Sequence, residues 1–470
     1  MNTLRMNDTL TGRSGAIVGV FATLLGTLIA TILLPLDPLA QGALTAPALV
    51  LAVGILFVPI VRALSGSAAL LNAENFVALG FIYWILLDPI RGAYDLYDAT
   101  DVTAQYALIA IGLSSACMWA GTYGQPWKIP SLIVRISRYR LGSTTLLRMA
   151  LVCFVLGMSN FVYSVDFDLV RMFSYLGQDR WSAPWGRGEL GGWDAFGDHL
   201  QYFGYPLPSL AALIVARRGL LKPGSLLALA AAIIMVLFLS QGGGRRIIGV
   251  TVGAAILVWI LARPDLKLRY LLGAGIGVLG LLYGMQFMLE IRTGGYQEYA
   301  AQGSRYELLH VDDNFLRLAQ ILELVPSSHP FVYFQQIFYI LVRPIPRIFW
   351  EGKPIDPGFN LSSAIGAEGV SLSTSIIGEW YLSFGWFGVM FGGWLHGRLA
   401  SAANTFRDSS VVLNNPVVYA LAIMVLVSGV RSMADLVIMS YAILALSGVT
   451  WLVTYRQRQR DRFQPRQMFD

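Results

Sequence analysis

The chain has 470 residues, of which 56% are hydrophobic and only 13% charged, with 12 Trp, 48 Gly and a mean hydropathy of +0.59. A soluble chain carries roughly a quarter charged residues, so this composition excludes an ordinary globular enzyme and points to a helical membrane protein. The two cysteines, Cys117 and Cys153, fall inside apolar stretches, which excludes a disulfide framework and leaves no thiol chemistry to propose.

In chain order, apolar windows of about 19 residues predict spans near 14–34, 43–64, 74–90, 103–122, 144–165, 198–216, 224–240, 246–262, 269–289, 374–397, 413–431 and 434–455. The expected fold is all-α and polytopic, with about twelve crossings (roughly 10–14, because several are short or broken by Pro and Gly). The first span is too long for a signal-peptide core and no small-residue cleavage site follows it, so it reads as a retained helix. The chain then divides into helices one to nine over 1–289, with an aromatic connection over 166–197. A large loop covers 290–373, helices ten to twelve 374–455, and a basic tail 456–470. No internal repeat is visible.

Cytoplasmic loops retain Lys and Arg, so their distribution sets the orientation. With the N-terminus inside, Arg62, the run Lys128 to Arg148, Arg217–Arg218–Lys222 and Arg263–Lys267–Arg269 all lie inside, as do Arg456, Arg458, Arg460 and Arg462. This gives 21 basic and 6 acidic residues inside against 13 and 22 outside, with both termini cytoplasmic. The pI of about 9.2 then reflects insertion, with membrane lipids bearing anionic headgroups as partners. Nucleic acid is not needed to explain it.

Two external connections are too long to be plain linkers. The first carries Trp181, Trp185 and Trp193 with Phe173, Tyr175 and Phe196. In the second, Phe315, Leu316, Leu318, Ile321, Leu322 and Val325 predict an amphipathic helix with Asp312 or Asp313 near its N-cap. Phe331 to Val342 is apolar but too short to span, so it is expected to lie in the interface or re-enter the membrane beside a substrate chamber.

The external cations run against the positive-inside pattern and are the functional clue. Arg245–Arg246 follows Gly242–Gly243–Gly244, where backbone N–H groups and two guanidiniums can clamp phosphate oxygens. The alternative is a tight turn whose arginines snorkel to headgroups. Arg343-Pro344-Ile345-Pro346-Arg347 and then Lys353 follow the short apolar segment. Their prolines stiffen the spacing of three cations, which suits a diphosphate or, alternatively, anchors the loop. Glu379 opens the next span and is a candidate general base, with a salt bridge to an arginine as the alternative reading. His310, Asp312 and Asp313 are further base candidates. His199, His329 and His396 lack metal-ligand spacing, and Asp166-Phe167-Asp168 reads as solvated loop charge, so no metal is expected.

The order Arg343-Pro-Ile-Pro-Arg347, Lys353-Pro354, a Ser/Gly-rich stretch, then Gly378-Glu379-Trp380-Tyr381 with Gly385 and Gly388 resembles the bacterial O-antigen or oligosaccharide repeat-unit polymerases (Wzy-type). The specific resemblance covers about fifty residues near the large loop; elsewhere only topology agrees. It implies a GT-C-like glycosyltransferase of the bacterial inner membrane. Such an enzyme polymerises undecaprenyl-diphosphate-linked repeats into O-antigen, capsule or exopolysaccharide at the periplasmic face. On this resemblance Arg343, Arg347 and Arg245 are the leading diphosphate ligands, with Arg246, Lys353 and Arg292 behind them. Glu379, His310 or Asp313 would take the acceptor proton, and Trp181, Trp185, Trp193 and Trp350 would stack on sugars. A chain-length regulator and a flippase would be partners. No cofactor is implied, since the donor is already activated and the sequence shows no P-loop.

Two rival readings stay open. An O-antigen ligase would use the same donor with a different acceptor. A polysaccharide or lipid-linked oligosaccharide transporter would normally carry ionisable groups mid-span, whereas Glu74, Glu290, Glu379 and Asp435 fall at predicted span ends.

Overall fold

The computed structural model describes residues 12–463 apart from 36, 38–39, 41, 67, 93–98, 132, 135–140, 180–181, 187–196, 242–243, 264–267, 292–293, 305–308, 310, 344, 346, 355, 368–371 and 408–415. Trp181, Trp193, Arg292 and His310 therefore lie outside the described residues.

Among the described residues there are helices and no strands. The apolar stretches become α1 (Gly12–Ile32), α2 (Thr45–Leu64), α3 (Ala73–Arg91), α4 (Asp101–Gly121), α5 (Ser143–Tyr163), α6 (Leu207–Arg218), α7 (Pro223–Gln241), α8 (Arg245–Leu261) and α9 (Leu268–Ile291). The large loop contributes α10 (Asn314–Leu324) and α11 (Gln335–Val342), and the chain closes with α12 (Ser375–Asn404), α13 (Val417–Gly429) and α14 (Met433–Phe463). Eight of these are long and apolar enough to cross a membrane: α1 to α5, α7, and the apolar parts of α9 and α14. The chain thus has the architecture of a polytopic helical membrane protein. The other four expected spans are different in kind. The helix α6 has only 12 residues and α13 only 13, α8 has 17, and the 30-residue α12 is bent.

Without water to drive helices together, close backbone approach does the work, and small residues permit it. A Cβ on Gly393 would lie 2.1 Å from the Ser114 carbonyl oxygen, and one on Gly397 would lie 1.9 Å from that of Met118. Helices α4 and α12 therefore meet backbone to backbone. At one end of the bundle a polar knot joins α2, α3, α12 and α13. Buried Arg62 donates to Glu74 at 3.0 Å and to Asn75 at 2.8 Å, Asn404 donates to Glu74 at 2.6 Å, and Tyr419 donates to Asn404 at 3.0 Å. Arg62, expected among the inside loop charges, is a buried partner instead, which satisfies the rule that buried ions are paired.

The opposite end, here the loop end, carries the 164–206 and 292–374 connections. The amphipathic segment forms α10 as expected, but both its faces are covered, with Phe315, Leu318 and Ile321 fully buried. Asp313 occupies its N-cap position without capping; its carboxylate pairs with Arg317 at 3.3 Å instead. The 331–342 run supplies only the eight residues of α11, too few to cross.

A break in α12 brings α11 into place. Gly385 adopts φ +60° and ψ −146°, a conformation essentially reserved for glycine, and the helix kinks there. The Leu382 carbonyl, which a straight helix would give to Trp386, is left open and accepts from Val332 N–H at 3.0 Å. That bond fixes the start of the segment leading into α11. The Gly378-Glu379-Trp380-Tyr381 run then makes sense residue by residue. Gly378 lets Ile321 of α10 approach, Trp380 covers Gly392 beyond the kink, and the Tyr381 hydroxyl donates to the Val325 carbonyl at 3.2 Å.

Candidate functional site

Charged residues from four segments meet at the loop end in an alternating chain. Arg245 in the first turn of α8 reaches Asp312, just before α10, at 2.9 Å. Arg431, between α13 and α14, holds the other oxygen of Asp312 through Nε and meets Asp435 of α14 at 2.9 Å. Asp435 in turn faces Arg246 at 2.8 Å, close but without hydrogen-bond alignment. The order is Arg245–Asp312–Arg431–Asp435–Arg246. Its centre is buried, with the Asp435 side chain 0% exposed, whereas Arg246 at one end is 38% exposed. Ions this deep persist only when paired, so Arg431 and Asp435 work as a structural hub.

A second set of cations is built on the opposite principle. Arg343 keeps helical dihedrals at the end of α11 and stays exposed. The half-buried Lys353 donates its ammonium to the carbonyls of Arg343 at 2.7 Å and Ile345 at 2.8 Å, bracing the backbone at those two positions. Burial, then the Arg347 and Arg343 guanidiniums, push Lys353 below the usual lysine range, so the three cations crowd one another. Among the described residues no carboxylate pairs with any of the three. Arg343 also lies within electrostatic reach of Tyr202 and Tyr441, whose rings meet at 5.1 Å; Tyr202 feels Arg246 as well. The exposed end of the ion-pair chain and the basic arm thus share one neighbourhood.

Near this arm lies a cavity of about 640 Å³ between α11, the 357–363 stretch, Leu372 and Thr374, and the N-terminal ends of α12 and α14. Residues 336, 339, 340 and 343 follow helical spacing along one face of α11. The first three line the cavity and Arg343 continues their face. The opposite face, Phe334, Phe338, Leu341 and Ile345, is exposed and apolar, as an interfacial helix requires. Glu379 lines the cavity from below. Its carboxylate accepts from the Met433 N–H at the start of α14, where a helix N-terminus favours negative charge. No arginine pairs with it among the described residues; Arg431 and Asp435 lie behind it.

The expected site residues therefore separate. Arg343, Arg347 and Lys353 come together as a partly exposed arm, with Arg246 nearby. Arg245 is buried to 11% side-chain exposure, and its Nη2 donates to both Asp312 and the Val311 carbonyl, which leaves little of it for a ligand. Asp313 pairs with Arg317 and is not among the residues lining the cavity. Trp185 corrects its expected role as a sugar platform. It is 6% exposed, packed edge-on against Phe161, Tyr175 and Phe238, and donates to Gln241 at 3.2 Å. Trp350 is exposed beside Phe338, with ring centroids 6.3 Å apart. Sequence reasoning missed the Arg431–Asp435 hub, although its i,i+4 spacing was visible, and it missed Gln336, a polar residue inside an apolar run. No family model, no curated protein and no solved structure matches this chain.

Proposed function

We propose that this protein transfers an oligosaccharide from a polyprenyl diphosphate to a sugar hydroxyl, as an O-antigen-type repeat-unit polymerase of the bacterial inner membrane. One observation carries the reading: three crowded cations, Arg343 exposed and Arg347 and Lys353 half-buried, with no carboxylate partner among the described residues, on the arm that continues the cavity-lining face of α11 toward a polar cavity holding a carboxylate. Crowding like charges is unfavourable unless an anion relieves it, and two arginines can bind a diphosphate bidentately. The exposed apolar face of α11 would rest in lipid, holding the arm at headgroup depth.

In the reaction the acceptor hydroxyl oxygen bonds to the anomeric carbon as the bond from that carbon to the diphosphate oxygen breaks. The diphosphate leaves with the bonding electrons, and Arg343, Arg347 and Lys353 stabilise its growing charge. Glu379 takes the hydroxyl proton. Arg246 supports the same leaving group from the other side of the arm. On this reading α6, α8, α12 and α13 also cross the bilayer, giving twelve crossings in a GT-C-like arrangement. Both termini are then cytoplasmic and the arm is periplasmic. A flippase would deliver the substrate, and a chain-length regulator would set the product size.

Deleting the gene tests the proposal: lipid-linked single repeats should accumulate while long surface chains disappear. Normal chain lengths in the deletion strain overturn it. Long chains retained on the lipid carrier but missing from the lipid A core would assign the protein to ligation instead.

A further inference from the structure

The cavity at Glu379 has a chemical bias of its own. Gln336 is 8% exposed and lines the cavity, yet its side-chain oxygen has no hydrogen-bond partner among the described residues. A buried amide oxygen left unmade is costly, and native chains rarely tolerate one without a ligand or water to satisfy it. Around it stand Thr374 and Ser363, with hydroxyls that donate or accept, and the rings of Tyr339 and Phe359. Among the described residues, Glu379 is the one ionisable carboxyl or amine group lining the cavity, apart from the weakly acidic phenol of Tyr339. A volume of about 640 Å³ falls in the range of small-ligand sites.

We infer that this cavity is the acceptor subsite and that it selects a neutral, hydroxyl-rich sugar at the non-reducing end, with Gln336 as a specificity-determining residue. This inference rests on the glycosyl-transfer reading above and adds the substrate class to it. Two acceptors, Gln336 and Glu379, call for hydroxyl donors from the ligand. The aromatic rings offer apolar surfaces to the C–H faces of a sugar. A uronic acid in the same place would bury a carboxylate with no cation among the described lining residues to stabilise it. The cations lie outside it, on the arm that faces the diphosphate.

The full chain in lipid nanodiscs provides the test. The acceptor probe is the repeat oligosaccharide released from its diphosphate, which can accept but cannot donate; its counterpart is the same oligosaccharide oxidised to a uronate at its terminal sugar. Binding is read by saturation-transfer NMR without turnover, and transfer by the yield of soluble product from lipid-linked donor. The neutral probe should bind at least tenfold better than the uronate. Glu379→Gln should end transfer while leaving the neutral-over-uronate preference in the binding measurement largely in place. Gln336→Leu, which keeps the volume, should raise the acceptor KM roughly three- to tenfold, as expected for one lost hydrogen bond, and leave the donor KM unchanged. Thr374→Val should act in the same direction, so the idea does not depend on one variant folding.

Equal binding of the two probes overturns the inference, as does an unchanged acceptor KM in both Gln336→Leu and Thr374→Val. A natural repeat ending in an acidic sugar overturns it as well. Transfer by the wild type with no discrimination would leave the polymerase reading standing and remove the subsite. Binding of the neutral probe without any transfer would do the reverse.

Discussion

The two classes of arginine at the loop end should respond to mutation in opposite ways. Replacing Arg431 with Leu removes the shared partner of Asp312 and Asp435. Asp435 is fully buried, and leaving a buried charge short of its partner costs about 3–5 kcal/mol. A fold held by about 5–15 kcal/mol would lose a large share of its stability. Arg343→Ala removes an exposed side chain with no carboxylate partner among the described residues, and such changes usually stay within about 0.5 kcal/mol. The assay is a thermal melt of detergent-solubilised protein followed by size-exclusion fluorescence, run beside a transfer assay on membranes with matched protein levels. Arg431→Leu should melt well below the wild type or fail to accumulate. Arg431→Leu combined with Asp435→Asn should recover part of the loss, because one stranded charge is gone. Arg343→Ala should melt like the wild type and lose transfer, and Arg343→Lys should recover transfer only in part, for want of the bidentate fork. Wild-type melting of Arg431→Leu, or a collapse of Arg343→Ala, would falsify the division into hub and arm.

Three further outcomes follow from the geometry. Gly385→Ala places a Cβ at φ +60° and 3.3 Å from the Phe331 ring; it should cost on the order of 1–3 kcal/mol and, by shifting the Val332–Leu382 bond, raise the acceptor KM, which steady-state kinetics will detect. Lys353→Met removes the two carbonyl bonds that brace the arm, so transfer should fall severalfold while the melt changes by no more than about 0.5 kcal/mol; full activity in this variant would show that the brace is unnecessary. Arg62→Leu strands the buried Glu74 at the far end and should destabilise by about 3–5 kcal/mol while leaving the neutral-over-uronate preference of the surviving protein unchanged.

Hydropathy made the long helices legible because each apolar run of twenty or so residues has one solution in lipid. It also announced α10, through its i,i+3 and i,i+4 spacing, and marked 331–342 as too short to cross. It was blind to partnership. Arg245 and Arg343 look alike in the sequence, as basic residues beside Gly or Pro on the same side of the predicted topology. One is held by Asp312 and the other meets no acid among the described residues, and only the fold of the intervening chain decides which. The tryptophans carry the same lesson. Trp185 became core because Phe161 and Phe238 from two neighbouring helices close over it, whereas Trp350 remains at the surface. The helices α6 and α13 fill only part of the expected spans 198–216 and 413–431, the first because Asp198–Phe203 winds as a 3-10 turn, so hydropathy overstated their length.

The separation of hub from arm also bears on how such a site can act. A guanidinium already held by a buried carboxylate can bind phosphate only by giving up that partner, so most of the gain is lost to an exchange of one anion for another. A free guanidinium on a flexible loop has no such competitor, but it must be ordered as the ligand arrives. Arg343 and Arg347 avoid both difficulties: among the described residues they lack carboxylate partners, and Lys353 braces the backbone between them through the carbonyls of Arg343 and Ile345. The hub contributes indirectly by fixing α8, α14 and the segment before α10 against one another. Arg246, paired yet half-exposed, stands where the two systems meet. Its carboxylate partner, Asp435, lies behind Glu379 at the start of α14. An anion on the arm that drew Arg246 outward would therefore leave Asp435 more dependent on Arg431 and strengthen the field at Glu379, coupling diphosphate binding to the carboxylate meant to take the acceptor proton.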